Sequence, residues 1–152
     1  MEIRRANPSD LPQLKAISAA SVSAAQWTPQ QWLDIFHTQI PPRFTWIAED
    51  RNAPVPGQGI GFLVAQNLGP DWELENVAVL GEFRRQGVGR ALLSTLLAQA
   101  RALQAERILL EVRASNQSAI RLYHGSGFQL LARRRNYYRN PDEDALILVH
   151  SL

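Results

Sequence analysis

Apolar positions along the chain either alternate with polar ones or recur at helical spacing, and each change of period marks a new element. Residues 2–6 read as a short strand. Asn7-Pro8-Ser9-Asp10 then has the form of a helix start, with Asn7 as cap and Pro8 in the first turn. Leu11, Leu14, Ile17 and Ser18 continue that helix. Thr28-Pro29-Gln30-Gln31 is a Thr-x-x-Gln capping box with proline at the first helical position, ahead of Trp32, Ile35 and Phe36 on one face. Strand-like runs at 44–48, 59–65 and 72–80 are separated by Asn52-Ala53-Pro54-Val55-Pro56-Gly57 and by Gly69-Pro70. A long helix is predicted over about 87–103, with Leu92, Leu96 and Leu103 as its buried stripe. Strand 107–112, helix 116–124, strand 128–133 and strand 145–149 complete the chain. There is no internal repeat and no long linker, so residues 1–152 are expected to form one α/β (or α+β) domain.

Composition narrows the class. A chain of 152 residues can bury one real core, and 45% hydrophobic against 20% charged residues excludes a disordered protein. The absence of cysteine excludes disulfides, thiolate metal sites and a cysteine nucleophile, and it suits a reducing cytoplasm. No segment has the apolar length of a membrane span, and Met1-Glu2-Ile3-Arg4-Arg5 leads straight into patterned sequence without a secretory signal. A net charge of +2 is too small for a nucleic-acid binder, although arginines cluster at Arg84, Arg85 and Arg90 and again at Arg133, Arg134 and Arg135. The second cluster reads as a solvated face. His37, His124 and His150 are scattered, without metal-ligand spacing or the order of a catalytic triad, so no metal is expected.

The chemistry concentrates where the strand Leu74-Glu75-Asn76-Val77-Ala78-Val79-Leu80 runs into Arg84-Arg85-Gln86-Gly87-Val88-Gly89-Arg90-Ala91 and a helix follows at once. Free backbone N–H groups and the helix dipole attract anions there, and glycine leaves room for a phosphate to approach the backbone. A pyrophosphate-bearing ligand is the expectation. A nucleotide-triphosphatase loop would need Gly-Lys-Ser or Gly-Lys-Thr, whereas Gly89 precedes Arg90 and Ala91. A dinucleotide fingerprint would need a small residue where Leu92 stands.

What remains, Arg84-x-x-Gly87-x-Gly89, resembles the acyl-coenzyme A loop of the GCN5-related N-acetyltransferase (GNAT) superfamily. A second stretch, Leu109-Leu110-Glu111-Val112-Arg113-Ala114-Ser115-Asn116, joins a strand to the helix Asn116-x-x-Ala119-x-x-Leu122-Tyr123 and looks like the second signature of that superfamily. The likeness covers essentially the whole chain. Within the superfamily it is nearest to the bacterial ribosomal-protein-alanine N-acetyltransferases, through residues 110–116, Arg134-Arg135-Asn136-Tyr137-Tyr138 and Glu143-Asp144-Ala145-Leu146-Ile147-Leu148. The resemblance implies a mixed, mostly antiparallel sheet of about seven strands flanked by about four helices. It also implies acetyl-coenzyme A as cosubstrate and a protein N-terminus as acceptor, in the cytoplasm, with no membrane or nucleic-acid partner. A monomer is compatible with it. The alternatives are a lysine side chain or small amine as acceptor, or a catalytically silent acyl-coenzyme A binding module, against which the presence of both Glu111 and Tyr123 argues.

Roles follow from the same resemblance. Glu111 is the general base and Tyr123 the acid that protonates the coenzyme A sulfur. The main chain of Val77-Ala78-Val79 hydrogen-bonds the pantetheine arm, Arg84, Arg85, Gln86, Gly87, Val88, Gly89 and Arg90 hold the pyrophosphate, and Asn116 touches the cofactor. Each has a plainer reading: Glu111 as a strand-end carboxylate paired with Arg113 or a neighbouring strand, Tyr123 as a core aromatic with its hydroxyl on a carbonyl, Asn116 as a helix cap. An α-amino group has a pKa of about 7.7–8.0, so the base has modest work, provided burial raises its basicity. Glu73 and Glu75 are the rival bases, alternating on their strand and sharing a face with Val77 and Val79, with Glu75 in reserve. Trp27, Trp32 and Trp46 line a peptide groove or fill the core.

Overall fold

In the computed structural model, which describes residues 1–21, 24–37 and 40–152, the chain forms seven strands and four α-helices among those residues. In chain order these are β1 (Glu2–Arg5), α1 (Leu11–Ala19), α2 (Pro29–His37), β2 (Arg43–Asp50), β3 (Gln58–Asn67) and β4 (Asp71–Val79). They are followed by α3 (Val88–Ala102), β5 (Arg107–Arg113), α4 (Gln117–Gly125), β6 (Gln129–Tyr138) and β7 (Glu143–Ser151). The local signals hold. Asn7 Oδ1 accepts from Ser9 N at 3.0 Å and Asp10 reaches back to Asn7 N at 2.8 Å. Thr28 and Gln31 exchange both bonds of their capping box, at 2.8 and 3.2 Å.

All seven strands join one sheet, ordered β1-β2-β3-β4-β5-β7-β6 and antiparallel at every contact except β4–β5. One face carries α3 and α4 over a core that includes Trp46, Trp72, Leu92, Leu93, Leu96 and Ile108. The other carries α1 and α2 over Leu14, Ile17, Trp32, Ile35, Ile47 and Phe62. The layers follow from alternation: Trp46 and Ala48 point to the first face and Ile47 to the second. No helix among the described residues is long and apolar enough to cross a membrane.

Two expectations change. Leu103 is not part of the α3 stripe: the helix stops at Ala102, Leu103 is its C-cap, and the side chain is 48% exposed. Leu92, Leu93, Leu96, Leu97 and Ala100 form the buried face instead. Nor do Glu73 and Glu75 share a face with Val77 and Val79. Val64 on β3 pairs with Asn76 but Ala65 pairs with Leu74, so Glu75 is an extra residue, a β-bulge. The bulge inverts the alternation. Trp72 and Leu74 sit in the α3/α4 core before it, Val77 and Val79 pack there after it, and Ala78 lies in the α1/α2 core. Strands β6 and β7 also run past the expected 133 and 149. β6 is an edge strand, exposed almost throughout, and its arginine-rich half has no apolar alternation to announce it.

Candidate functional site

The bulge opens the sheet. β4 and β5 pair only at Asp71–Arg107, Trp72–Ile108 and Glu73–Leu109, while β5 stays paired with β7 along its full length. From Leu74 and Leu110 onward the two parallel strands diverge, and a cavity of about 630 Å³ lies between them. Its walls bring together Val77 from β4, Glu111 from β5, Asn116 at the head of α4 and Tyr123 from within α4. Ala24, Ala25 and Gln26, ahead of α2, close another side.

Past the bulge, one edge of β4 has lost its neighbour. Leu80 N donates to Ile60 O on β3 at 2.9 Å, and alternate strand residues turn their polar groups to opposite sides. The N–H and C=O of Val77 and Val79 therefore face the gap, and those of Ala78 face β3. Among the described residues, only Val79 O of these groups has a side-chain partner, Arg84 Nε at 3.3 Å. Arg84 is thus a brace, with its Nη2 also donating to Ser21 Oγ at 3.0 Å.

The glycine loop stands apart, at the N-terminus of α3. Arg85 (φ 62°) and Gly87 (φ 82°) are left-handed, Gly87 is the N-cap, and a Cβ there would meet nothing within 4 Å. No side chain caps the helix, and its first main-chain bond runs from Ala91 N to Gly87 O, so the N–H groups of Val88, Gly89 and Arg90 are open to an anion. The side chains of this stretch do not converge. Val88 is buried in the core, Gln86 Nε2 bonds Glu82 O, and Arg90 reaches toward Gly125 of α4. Gly89 needs correction, because the Cβ it lacks would sit 2.9 Å from Leu122 Cδ2. Its bareness serves the contact between α3 and α4, while a Cβ at Gly87 would face open space.

Glu111 is exposed on the cavity wall, since its apolar neighbours Leu110 and Val112 point to the other face. The expected burial is absent. Its nearest cation is Arg134 Nη1 at 3.8 Å, and Arg113 turns instead to Glu143 at 3.6 Å. Tyr123 is 7% exposed, and burial, then the neighbouring Tyr138, push its hydroxyl well above the usual range. It packs on Phe128 with ring centroids 5.9 Å apart, yet its hydroxyl has no hydrogen-bond partner among the described residues. Asn116 does cap α4, accepting from Ala119 N at 3.3 Å, and it faces the cavity as well. Glu75 is on the wall but committed to Arg43, at 2.9 and 3.3 Å. Burial raises the Glu73 carboxyl, and the charges of Glu75 and Glu111 add to this against Arg43.

Three residues of the site had no role from sequence. Asn76, Arg113 and Tyr138 all line the cavity. Burial, then the charge of Glu111, raise the Tyr138 hydroxyl, and the Arg113 guanidinium 4.1 Å over its ring opposes this. Trp32 and Trp46 are core residues, and Trp27 packs edge-on against Trp32 at 5.0 Å.

With this geometry in hand, comparison with known proteins is specific. The model of the Acetyltransferase (GNAT) family matches residues 13–128. The [ribosomal protein bS18]-alanine N-acetyltransferase of Escherichia coli (strain K12) is 42% identical over 95 residues, which are 61% of this chain and 64% of that protein's length. The crystal structure of the E. coli ribosomal-protein-S18-alanine N-acetyltransferase covers 99% of this chain and 92% of its own, with a TM-score of 0.83 and 31% identity. Arabidopsis thaliana NAA60 in complex with acetyl-CoA has the same fold, with a TM-score of 0.88 at 21% identity over 99% of this chain and 98% of its own.

Proposed function

Since this chain belongs to the acetyltransferase (GNAT) family, we propose that it transfers an acetyl group from acetyl-coenzyme A to the α-amino group of a protein N-terminus. The names of its relatives point to an N-terminal alanine of a ribosomal protein as acceptor, and hence to the cytoplasm. One observation carries the reading: the β4–β5 split places an exposed carboxylate and a buried, unpartnered phenol on the walls of one cavity.

The residues fit the cosubstrate. The uncapped start of α3 and the open space at Gly87 suit a pyrophosphate, with Arg85 and Arg90 nearby, Gln86, Val88 and Gly89 contributing main chain, and Arg84 bracing the turn. The unpaired edge at Val77 and Val79, on either side of Ala78, suits the amide-bearing pantetheine arm, with Asn116 beside it. Acetyl-coenzyme A supplies the activated acetyl thioester. Glu111 accepts the amine proton, directly or through a water, and its exposure keeps water within reach. Tyr123 holds its proton at Oη across neutral pH because burial opposes ionisation, and so it is the donor to the leaving sulfur. Both substrates meet in one cavity, so transfer is direct within a ternary complex.

The test is acetylation of a panel of N-terminal peptides, with lysine side chains and small amines as controls. Turnover confined to peptide α-amines, fastest for alanine, is the expected outcome. Preference for lysine, with a pKa of about 10.4, would move the acceptor to another class.

A further inference from the structure

Besides the Tyr123 hydroxyl, two fully buried side-chain polar atoms of cavity-lining residues lack partners among the described residues. Asn76 is 4% exposed; its Nδ2 donates to Ala25 O at 3.4 Å, while its Oδ1 is buried and accepts from no described residue. The Ala25 bond fixes which end of the amide is which. Arg113 Nη1 is likewise buried without a hydrogen-bond partner, the Glu143 carboxylate being 3.6 Å off. Its guanidinium carbon lies over the Tyr138 ring, 4.1 Å from the centroid. Buried polar atoms in folded proteins are almost always paired, so two orphans beside Glu111 and Tyr123 call for an explanation.

The orphans are complementary. One lacks a donor and the other lacks an acceptor, and a peptide group carries one N–H and one C=O. A lysine side chain or a simple amine brings no carbonyl. We infer that Asn76 Oδ1 and Arg113 Nη1 form a subsite for the first peptide group of the acceptor. Asn76 accepts from the N–H of the acceptor's second residue, and Arg113 donates to the carbonyl of its first. Both are positioning residues that select a chain end over a free amine. The inference deepens the acetyl-transfer reading and rests on it.

The experiment compares an alanine-initiated peptide with the same peptide N-methylated at its second residue, on the unaltered protein and on Asn76→Leu. Asn76→Leu keeps the branched shape and heavy-atom count, with bulkier methyl groups, and removes an unsatisfied polar group. The protein should fold and bind acetyl-coenzyme A unchanged, which its melting curve and a cofactor titration check. The unaltered protein should lose on the order of 10-fold in kcat/KM when the N–H is methylated, the worth of one hydrogen bond. Asn76→Leu should lose the same factor on the ordinary peptide, chiefly in KM, and nothing more on methylation. Arg113→Met should raise KM for both peptides and leave the affinity for acetyl-coenzyme A unchanged. An unshifted peptide KM in Asn76→Leu, or equal use of both peptides by the unaltered protein, would overturn the subsite alone. If the unaltered protein acetylates no peptide at all, the subsite falls together with the transfer reading.

Discussion

Tyr123 shows how a single group can separate stability from chemistry. Its ring is packed against Phe128 while its hydroxyl ends unpartnered at the cavity. Tyr123→Phe should therefore keep the melting temperature, since no protein hydrogen bond is lost, and slow single-turnover transfer by roughly 10²-fold or more if Oη is the proton donor. A variant that melts lower but reacts at the normal rate would make the tyrosine a packing residue. Glu73 gives a pH-dependent counterpart. Its carboxyl is raised by burial and by the charges of Glu75 and Glu111, so the folded protein keeps that proton to higher pH than the unfolded chain does. The group consequently costs stability above the unfolded pKa of about 4.3 and costs none well below it. Glu73→Gln should melt higher than the parent at pH 7, with the gain vanishing toward pH 4. Parallel melting curves across that range would contradict the assignment.

Elements show where sequence reading works and where it stops. Caps, periods and turn residues are local, so Thr28-Pro29-Gln30-Gln31 and Asn116 were readable before any fold was known, and Glu111, Tyr123 and Asn116 do share one cavity. The bulge at Glu75 is not local. It exists only in register against β3, and it silently reassigns every side chain after it, which is why Glu73 and Glu75 do not share a face with Val77 and Val79 as alternation alone predicts. Tyr138 reaches the site from an exposed edge strand that has no periodicity to read. Gly89 carries the same lesson, because α4 packs against it from more than thirty residues away, in the form of Leu122. Gly89→Val should thus destabilise the fold by about 1–3 kcal/mol through overpacking, measured by denaturant melts. In a Leu122→Ala background the same change should cost much less, a coupling that a pure phosphate-contact role would not produce.

At the scale of the whole molecule, the sheet is two unequal pieces. β1 to β4 make one and β5, β7 and β6 the other, joined in the sheet by three residue pairs. A ligand seated in the split would touch both pieces and stabilise the whole. Acetyl-coenzyme A at about 100 times its Kd should add about 2.7 kcal/mol, seen as a rise in melting temperature that grows with ligand concentration. The rise should shrink with added salt if the arginines of the α3 turn meet the phosphates. The order β5-β7-β6 has a consequence for how the protein is made. β6 pairs with no strand but β7, and β5 meets no strand after β4 except β7, so both leave the ribosome ahead of the partner they need. Strands β1 to β4 can pair in chain order as they emerge, β2 to β4 as successive hairpins, whereas this half must wait, with one long edge bare, for the strand that slides between its neighbours. The wall that carries Glu111 is therefore completed last, and a chain stalled before residue 143 would hold half a cleft.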